Sequence, residues 1–151
     1  MIFAAKVADL PEICHLALRV PDELGFDNLP QVNNVKVINH IVGSWEECPI
    51  FVYRETEDPD SKILGFLGVR FEQPWFSDKD VLTDYIFYVK PEHRSLKVTN
   101  ALINAAKDLA RLNKTGLVLT MLANSDSTSA VESLLERQKF IKTGSIMSWG
   151  V

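Results

Sequence analysis

The amino-acid sequence predicts one domain over residues 1–151, of mixed α/β class, with helices on both faces of its sheet. Short apolar runs alternate along the chain with amphipathic stretches of helical period, a pattern typical of sheets covered by helices. Residues 116–122 are almost continuously apolar, as expected of a strand that is buried on both faces. A chain of 151 residues is also of ordinary length for one domain.

The predicted elements follow the order β-α-α-β-β-β-α-β-α-β. The first strand spans residues 2–7, and Asp9 is the candidate N-cap of the helix that follows. A turn-rich loop over residues 19–30 leads to a second helix. Apolar residues recur every three or four positions along this helix and predict its buried face. They are Val32, Val35, Ile38, Ile41 or Val42, and Trp45.

The central part of the chain predicts three strands in succession, over residues 50–54, 63–71 and 82–89. The turn-forming sequence ETEDPDS between the first two favours an antiparallel meander. The remaining elements are a long amphipathic helix from Leu96 to about residue 113, the strand at 116–122, a helix opened by the capping box Ser129–Glu132, and a last strand or pair of strands over 140–149. A strand–helix–strand connection favours parallel pairing at the centre of the sheet.

The composition argues against several classes of partner. The chain has 16 basic and 20 acidic residues, a formal net charge of −4, and no basic cluster, so we expect neither nucleic acid nor a membrane as partner. The N-terminus lacks the pattern of a signal peptide, which predicts a cytoplasmic protein. Cys14, Cys48 and the three histidines show no metal-ligand spacing, so we expect no metal.

The connection between the strand at 82–89 and the next helix is a candidate anion site. The first N–H groups of a helix have no partner within it, and the helix dipole adds positive charge there. Arg94 and Lys97 lie beside these groups and can add side-chain charge. Every helix has such a terminus, however, and this geometry alone leaves open whether an anion binds.

The segment VKPEHRSLKVTNALINAAKDLAR resembles the coenzyme A-binding segment of the GNAT superfamily of N-acetyltransferases. In that family a strand ending in Val-x-Pro-Glu leads into Arg/Gln-x-x-Gly-x-Gly/Ala at a helix start. Asn124, and LLERQKF at 134–140, continue the likeness, which covers residues 2–149 and implies a GNAT-like acyl-CoA N-acyltransferase fold. A narrower likeness is to acetyltransferases encoded by tailed bacteriophages, which would place the protein in the host cytoplasm.

Four positions depart from the family pattern. Lys97 and Thr99 stand where the two small residues of the loop are expected, and glycine there lets backbone approach a diphosphate. Leu135 falls where many members carry the tyrosine that protonates the departing thiolate. Lys139 replaces the glycine that precedes Phe140.

The resemblance implies direct transfer of an acetyl group from acetyl-CoA, as co-substrate, to a primary amine. It implies that residues 94–99 hold the pyrophosphate, while strand backbone and an asparagine hold the pantetheine arm beside a bulge that separates the two strands. The implied donor-binding residues are Phe87, Val89, Arg94, Ser95, Leu96, Lys97, Val98, Thr99 and Asn124.

The candidate catalytic groups lie on the strand at 82–89. Strict alternation would place Asp84, Ile86 and Tyr88 on one face. A part-buried Asp84 would have the raised pKa that a general base needs, and Tyr88 would act as general acid in place of the missing tyrosine. A solvent-facing Asp84 and a core Tyr88 are the alternatives.

We expect the acceptor between loops 19–30 and 72–81, where acidic and aromatic side chains would favour a cationic amine. These side chains are Asp22, Glu23, Asp27, Trp75 and Phe76. The resemblance to the family is the only reason to expect a homodimer. The alternative function, favoured by the altered positions 97, 99 and 135, is a catalytically silent binding or structural protein of the same fold, for example a phage accessory or virion protein.

Overall fold

The computed structural model describes residues 1–23, 32–120 and 125–143, with backbone alone for residues 22 and 125–130. The strands are β1 Ile2–Ala4, β2 Ile50–Arg54, β3 Ile63–Glu72, β4 Val81–Val89 and β5 Leu117–Val118. The helices are α1 Leu10–Ala17, α2 Val20–Glu23, α3 Asn34–Trp45, α4 Leu96–Leu112 and α5 Ser125–Arg137. No helix in these ranges is long and apolar enough to cross a membrane.

The five strands form one mixed sheet in the order β1-β2-β3-β4-β5. The pairs from β1 to β4 are antiparallel, and β4 and β5 are parallel. The predicted meander is therefore confirmed, and so is a parallel pair, although among the described residues that pair lies at the edge of the sheet rather than at its centre. The parallel pairing follows from α4, which carries the chain back along the sheet between the two strands.

Helices cover both faces of the sheet, as predicted. One face packs against α1 and α3 through a buried cluster that includes Ile13, Leu16, Ile41, Val52, Phe66 and Tyr88. The other face packs against α4 through Leu67, Val69, Leu82, Val98, Leu102 and Ala106. A third cluster joins α4 to α5 through Ile103, Leu134 and Leu135.

The buried face of α3 differs from the predicted one. Val35, Ile38 and Val42 are exposed, whereas Ile41 is fully buried. Val37 and Trp45 pack beside Ile41, so the buried line runs at intervals of four residues on the neighbouring face. Both faces have helical spacing, and contact with α1 rather than periodicity decides which one is covered.

Several element boundaries differ from the predicted ones. β1 ends at Ala4, and α5 begins at Ser125, one turn before the predicted capping box. β5 ends at Val118, where its pairing with β4 ends. Asp9 precedes α1 as predicted, but its carboxylate binds the buried Arg54 at 2.5 Å rather than capping the helix. Residues 140–143 form no strand, and the rest of the predicted last strand lies outside the described residues.

Lysines occupy the left-handed position at the ends of α4 and α5. Lys114 has φ 53° and Lys139 has φ 67°, in the region that favours glycine. Each helix end has both bonds of a Schellman motif. In α5, Lys139 N–H donates to the Glu136 carbonyl and Phe140 N–H donates to the Leu135 carbonyl. The glycine that the family pattern places at 139 would thus adopt this backbone without strain.

Lys139→Gly is therefore expected to raise the free energy of unfolding by about 0.5–1 kcal/mol, because glycine avoids the left-handed penalty at a modest cost in chain entropy. Urea denaturation measures the change. Lys142→Gly, outside the helix end, is the control and should not stabilise the protein. Destabilisation by Lys139→Gly would contradict the backbone assignment.

Candidate functional site

The candidate anion loop connects β4 to α4 and is held by hydrogen bonds within the loop and to the first turn of the helix. Residues Pro91–His93 form one turn of 3₁₀ helix, and Ser95 is the N-cap of α4. The Ser95 hydroxyl accepts the Val98 N–H at 3.5 Å, and its carbonyl accepts the Thr99 N–H at 3.2 Å. The predicted helix start at Leu96 is confirmed.

The N–H groups of Leu96 and Lys97 have no acceptor among the residues that the structure describes. Two donors at the positive end of a 17-residue helix can bind an anion. The Lys97 side chain is exposed beside them, whereas Thr99 is buried, 8% exposed. The residues that replace the family's small ones thus leave this helix terminus accessible, because Thr99 is directed inward.

Arg94 is engaged by protein groups. Its guanidinium pairs with the Glu23 carboxylate of α2, and its Nε donates to the Val89 carbonyl at 3.0 Å. The guanidinium also lies 6.0 Å from the centroid of the Tyr88 ring. A diphosphate at this loop would therefore compete with Glu23 for Arg94.

Strand β4 parts from β5 in its first half, before it reaches this loop. The parallel pairing includes Leu82 with Leu117 and Thr83 with Val118, and the described residues continue it no further. Beyond that point the Asp84 carboxylate accepts the Thr120 N–H at 2.5 Å, in place of a backbone acceptor. Among the described residues, none pairs with the β5 side of β4 over residues 85–89, and another extended chain can pair there.

A β-bulge lies at the point of divergence. Val69 of β3 pairs with Asp84, but Gly68 pairs with Ile86, so Tyr85 is an extra residue in β4. Asp84 consequently shares the α4 face with Val69, while Ile86 and Tyr88 face α1 and α3. The predicted common face of Asp84, Ile86 and Tyr88 is wrong, because the bulge interrupts the alternation.

The pKa values of both candidate catalytic groups are raised. Burial raises the pKa of the Asp84 carboxyl, and the bond from Thr120 N–H partly opposes this. Burial also raises the pKa of Tyr88, and its bond to Glu23 adds to the shift. The Tyr88 hydroxyl donates to Glu23 Oε1 at 2.9 Å, so Glu23 links it to Arg94.

The remaining candidate residues are distributed as follows. Trp75 and Phe76 are 95% and 74% exposed, and their rings meet edge to face at 5.5 Å. Leu135 is buried among apolar side chains beneath α4. Val98 is buried in the sheet–α4 core, so only its backbone is available to a ligand. Asn124, Asp27 and the side chain of Asp22 lie outside the described residues.

The sequence analysis did not single out Tyr85. Its hydroxyl is buried without a hydrogen-bond partner in the structure, and its ring meets His40 edge to face at 5.5 Å. No sequence signal distinguishes it from its strand neighbours, because the bulge that turns it toward α3 depends on strand pairing. Among the described residues, no group of His, Cys, Asp and Glu could hold a metal ion.

Comparisons with family models and with solved structures agree with the fold described above. Residues 20–140 match the model of the acetyltransferase (GNAT) family. No curated protein matches the chain.

Solved structures share the fold at low sequence identity. A "probable acetyltransferase" is similar with 18% identity and a TM-score of 0.75, covering 100% of this chain and 96% of its own. A "predicted acetyltransferase" from Clostridium acetobutylicum, solved with acetyl-CoA, has 11% identity and a TM-score of 0.73, covering 99% of this chain and 95% of its own. AAC(6')-Iy, in complex with the bisubstrate analogue CoA-S-monomethyl-acetylneamine, has 14% identity, a TM-score of 0.65 and coverages of 99% and 95%. Since the family model spans most of the chain and the fold agrees, the protein belongs to the GNAT family of acetyltransferases.

Proposed function

We propose that the protein is an N-acetyltransferase that transfers the acetyl group of acetyl-CoA directly to a primary amine. The observation that carries the proposal is that β4 parts from β5 and then leads to a helix terminus at which two N–H groups have no acceptor among the described residues. The neutral amine attacks the thioester carbonyl, the C–S bond breaks and an amide forms. The amine loses a proton to a base, and the coenzyme A thiolate gains one from an acid.

The donor would lie along the open side of β4 and end at the candidate anion loop. Its pantetheine amides would pair with strand backbone at Phe87 and Val89, and Asn124 would contribute a further bond. The diphosphate would bind the helix terminus. The N–H groups of Leu96 and Lys97 and the side chains of Arg94 and Lys97 would make these contacts. Ser95, Val98 and Thr99, whose N–H groups are already bonded within the loop and the first turn of α4, would hold that terminus in place.

Asp84 is the proposed base and Tyr88 the proposed acid. Because the bulge puts them on opposite faces of β4, they would approach the thioester from opposite sides of the open edge of that strand. Burial of Asp84, at the divergence of the strands, supports its role because a raised pKa brings a carboxylate closer to the basicity needed near neutrality. Tyr88 would act after Arg94 exchanges Glu23 for a diphosphate, since its hydroxyl is bonded to that carboxylate in the free protein.

Acetyl-CoA binding and amine acetylation test the proposal together. Acetyl-CoA should raise the melting temperature in proportion to the logarithm of its concentration. Incubation with a panel of amines should then release free thiol and form acetylated product detectable by mass spectrometry. Absence of both a thermal shift and a product at millimolar donor would refute the proposal.

The second candidate function is a catalytically silent GNAT-fold protein. Its support is the apolar burial of Leu135 and the engagement of Arg94 by Glu23. Donor binding without product from any amine would favour it. The tailed-bacteriophage origin is a further part of the proposal, supported by Lys97 and Thr99 in place of the loop's small residues.

Lys97→Glu should weaken coenzyme A about fivefold to thirtyfold, because it places a negative charge beside a bound diphosphate at a site of intermediate dielectric. Isothermal titration measures the change. The control is Lys107→Glu, which makes the same change of charge further along α4, where the Lys107 ammonium bonds Gln138. Equal effects of the two substitutions would show that Lys97 is not at the diphosphate.

A further inference from the structure

An open cavity lies where the C-terminal end of α3 meets the start of β2. Its volume is about 230 Å³, which is less than the roughly 300–1,000 Å³ of pockets that hold drug-sized ligands, so it suits a small group. The residues that line it include Ala4, Ala5, Trp45, Glu46, Glu47 and Ile50.

This cavity is separate from the candidate anion loop. Ile50, at the start of β2, pairs with Gly68 of β3, whereas Tyr53 pairs with Gly65. Gly65 in turn pairs with Val89, the last residue of β4 before the loop. Three strand residues, roughly 10 Å, therefore lie between the cavity and the edge of the sheet that carries the loop. A group bound in the cavity would not occupy the proposed donor site.

Glu46 and Glu47 give the cavity a negative charge. Neither carboxylate forms an ion pair or a side-chain hydrogen bond with any residue that the structure describes. The charge of Arg70 acts on the neighbouring Cys48, but its guanidinium pairs with Glu72 instead. Since the lining residues include no basic side chain, the two charges are uncompensated among the described residues.

The end of α3 adds to this negative potential. The helix spans 12 residues, and Glu46 is its C-cap. The carbonyl end of a helix carries a partial negative charge, which basic side chains in the last turn usually offset. The last turn of α3 has no basic residue, and two carboxylates follow it. Mutual repulsion therefore disfavours this helix end in the free protein and favours any cation that binds beside it.

Trp45 and the apolar lining select the kind of cation. Trp45 packs partly against the core and also lines the cavity. Indole is the aromatic side chain that attracts cations most strongly. Apolar residues of β1 and β2 line the remainder, which suits a hydrocarbon stem better than a hydrated metal ion. In the described part of the chain, no group of three His, Cys, Asp or Glu residues could hold a metal.

We propose that this cavity binds an ammonium or guanidinium group on a short apolar stem, with Glu46 and Glu47 as its counter-ions and Trp45 against the cation. A free alkylamine and the side chain of a lysine or arginine both carry such a group. The site does not depend on the proposed function, because it lies away from the donor site. We expect millimolar affinity, since both carboxylates are exposed and exposed ion pairs contribute little.

The indole N–H signal of Trp45 in a nuclear magnetic resonance titration, assigned with Trp45→Phe, measures binding. n-Butylammonium chloride should shift this signal with a dissociation constant on the order of 1–10 mM. n-Butanol lacks the charge and sodium chloride lacks the stem, so neither should shift it comparably. Glu46→Gln/Glu47→Gln should weaken binding about tenfold or more. The matched control, Glu55→Gln/Glu57→Gln, removes two exposed charges from the turn after β2 and should bind as the wild type does.

A blocked tripeptide, acetyl-Gly-Lys-Gly-amide, distinguishes the two sources of the ligand. Tighter binding of the tripeptide than of n-butylammonium identifies a polypeptide side chain, and equal or weaker binding identifies a free amine. Either result supports the site. Absence of a shift with both probes, an equal shift with n-butanol or sodium chloride, or equal affinity in the two double variants would overturn it.

Stability in the absence of ligand gives an independent readout. Glu46→Gln/Glu47→Gln should raise the melting temperature by about 2–5 °C, because it removes two like charges from the carbonyl end of α3. The control double variant, away from any helix end, should change it by less than about 1 °C. A gain in stability with a loss of binding is expected of residues that serve a ligand. A lower melting temperature for Glu46→Gln/Glu47→Gln would overturn the site, since it would show that the carboxylates stabilise the fold.

Discussion

Asp84→Asn should lower kcat by roughly a hundredfold to ten-thousandfold, the range observed when a general base is removed, and should change KM much less. The amide can still accept the Thr120 N–H, so the divergence of β4 and β5 is retained. Steady-state kinetics with saturating acetyl-CoA measures the effect. Asp108→Asn, an exposed carboxylate on α4 paired with Arg111, is the control and should leave kcat unchanged.

The pH dependence gives this prediction a second readout. The wild-type rate should fall as pH decreases through the pKa of Asp84, which burial places above that of an ordinary aspartate. The stability of the protein should depend on pH in the opposite direction from the rate. A carboxyl whose pKa is raised by folding stabilises the folded state below its unfolded pKa, and this contribution is lost as pH rises through its folded pKa. Asp84→Asn should therefore be as stable as the wild type, or more stable, at pH 7. A kcat that Asp84→Asn leaves unchanged, or a wild-type rate that does not fall toward acid pH, would remove Asp84 from the reaction.

The second large effect concerns donor affinity. Arg94→Ala should weaken coenzyme A about tenfold to a hundredfold, as expected for loss of a charged hydrogen bond to phosphate. Glu23→Gln should act in the opposite direction and tighten coenzyme A about twofold to fivefold, because it removes a partly exposed ion pair that the diphosphate must displace.

A double-mutant cycle separates this competition from general electrostatics. In the Arg94→Ala background, Glu23→Gln should no longer tighten coenzyme A. Glu12→Gln is the matched control, since it removes the same charge from a pair with Lys90 at the end of β4. Pantetheine, which lacks the diphosphate, should bind all these variants equally. Equal tightening by Glu12→Gln and Glu23→Gln would show that Glu23 does not compete for Arg94.

The order of the helices and strands, and the loop that carries the candidate anion site, could be predicted because they depend on local sequence patterns. Turn residues separate β2 from β3, and the amphipathic period of α4 marks its start at Leu96. These signals act over a few residues, so the meander, the parallel pair and the loop that leads into α4 could all be predicted from local sequence.

It was harder to predict which face of a helix or strand carries a given side chain than to predict that the helix or strand exists. On α3, two adjacent lines of apolar residues have equal helical spacing, and packing against α1 selects the one through Ile41. In β4, one extra residue at Tyr85 moves Asp84 to the opposite face from Tyr88. A bulge arises from the pairing of two strands, and therefore leaves no periodic signal in either.

By itself, the sequence determined the mixed α/β class, the antiparallel meander and the strand–loop–helix segment at residues 82–112, because hydrophobic period and turn chemistry are local. Only the tertiary structure decided which side chains share a site. Glu23 reaches Arg94 across 71 residues, and Arg54 of β2 pairs with Asp9 across 45 residues. Such contacts depend on the packing of α1 and α2 on the sheet, and no spacing along the chain encodes them.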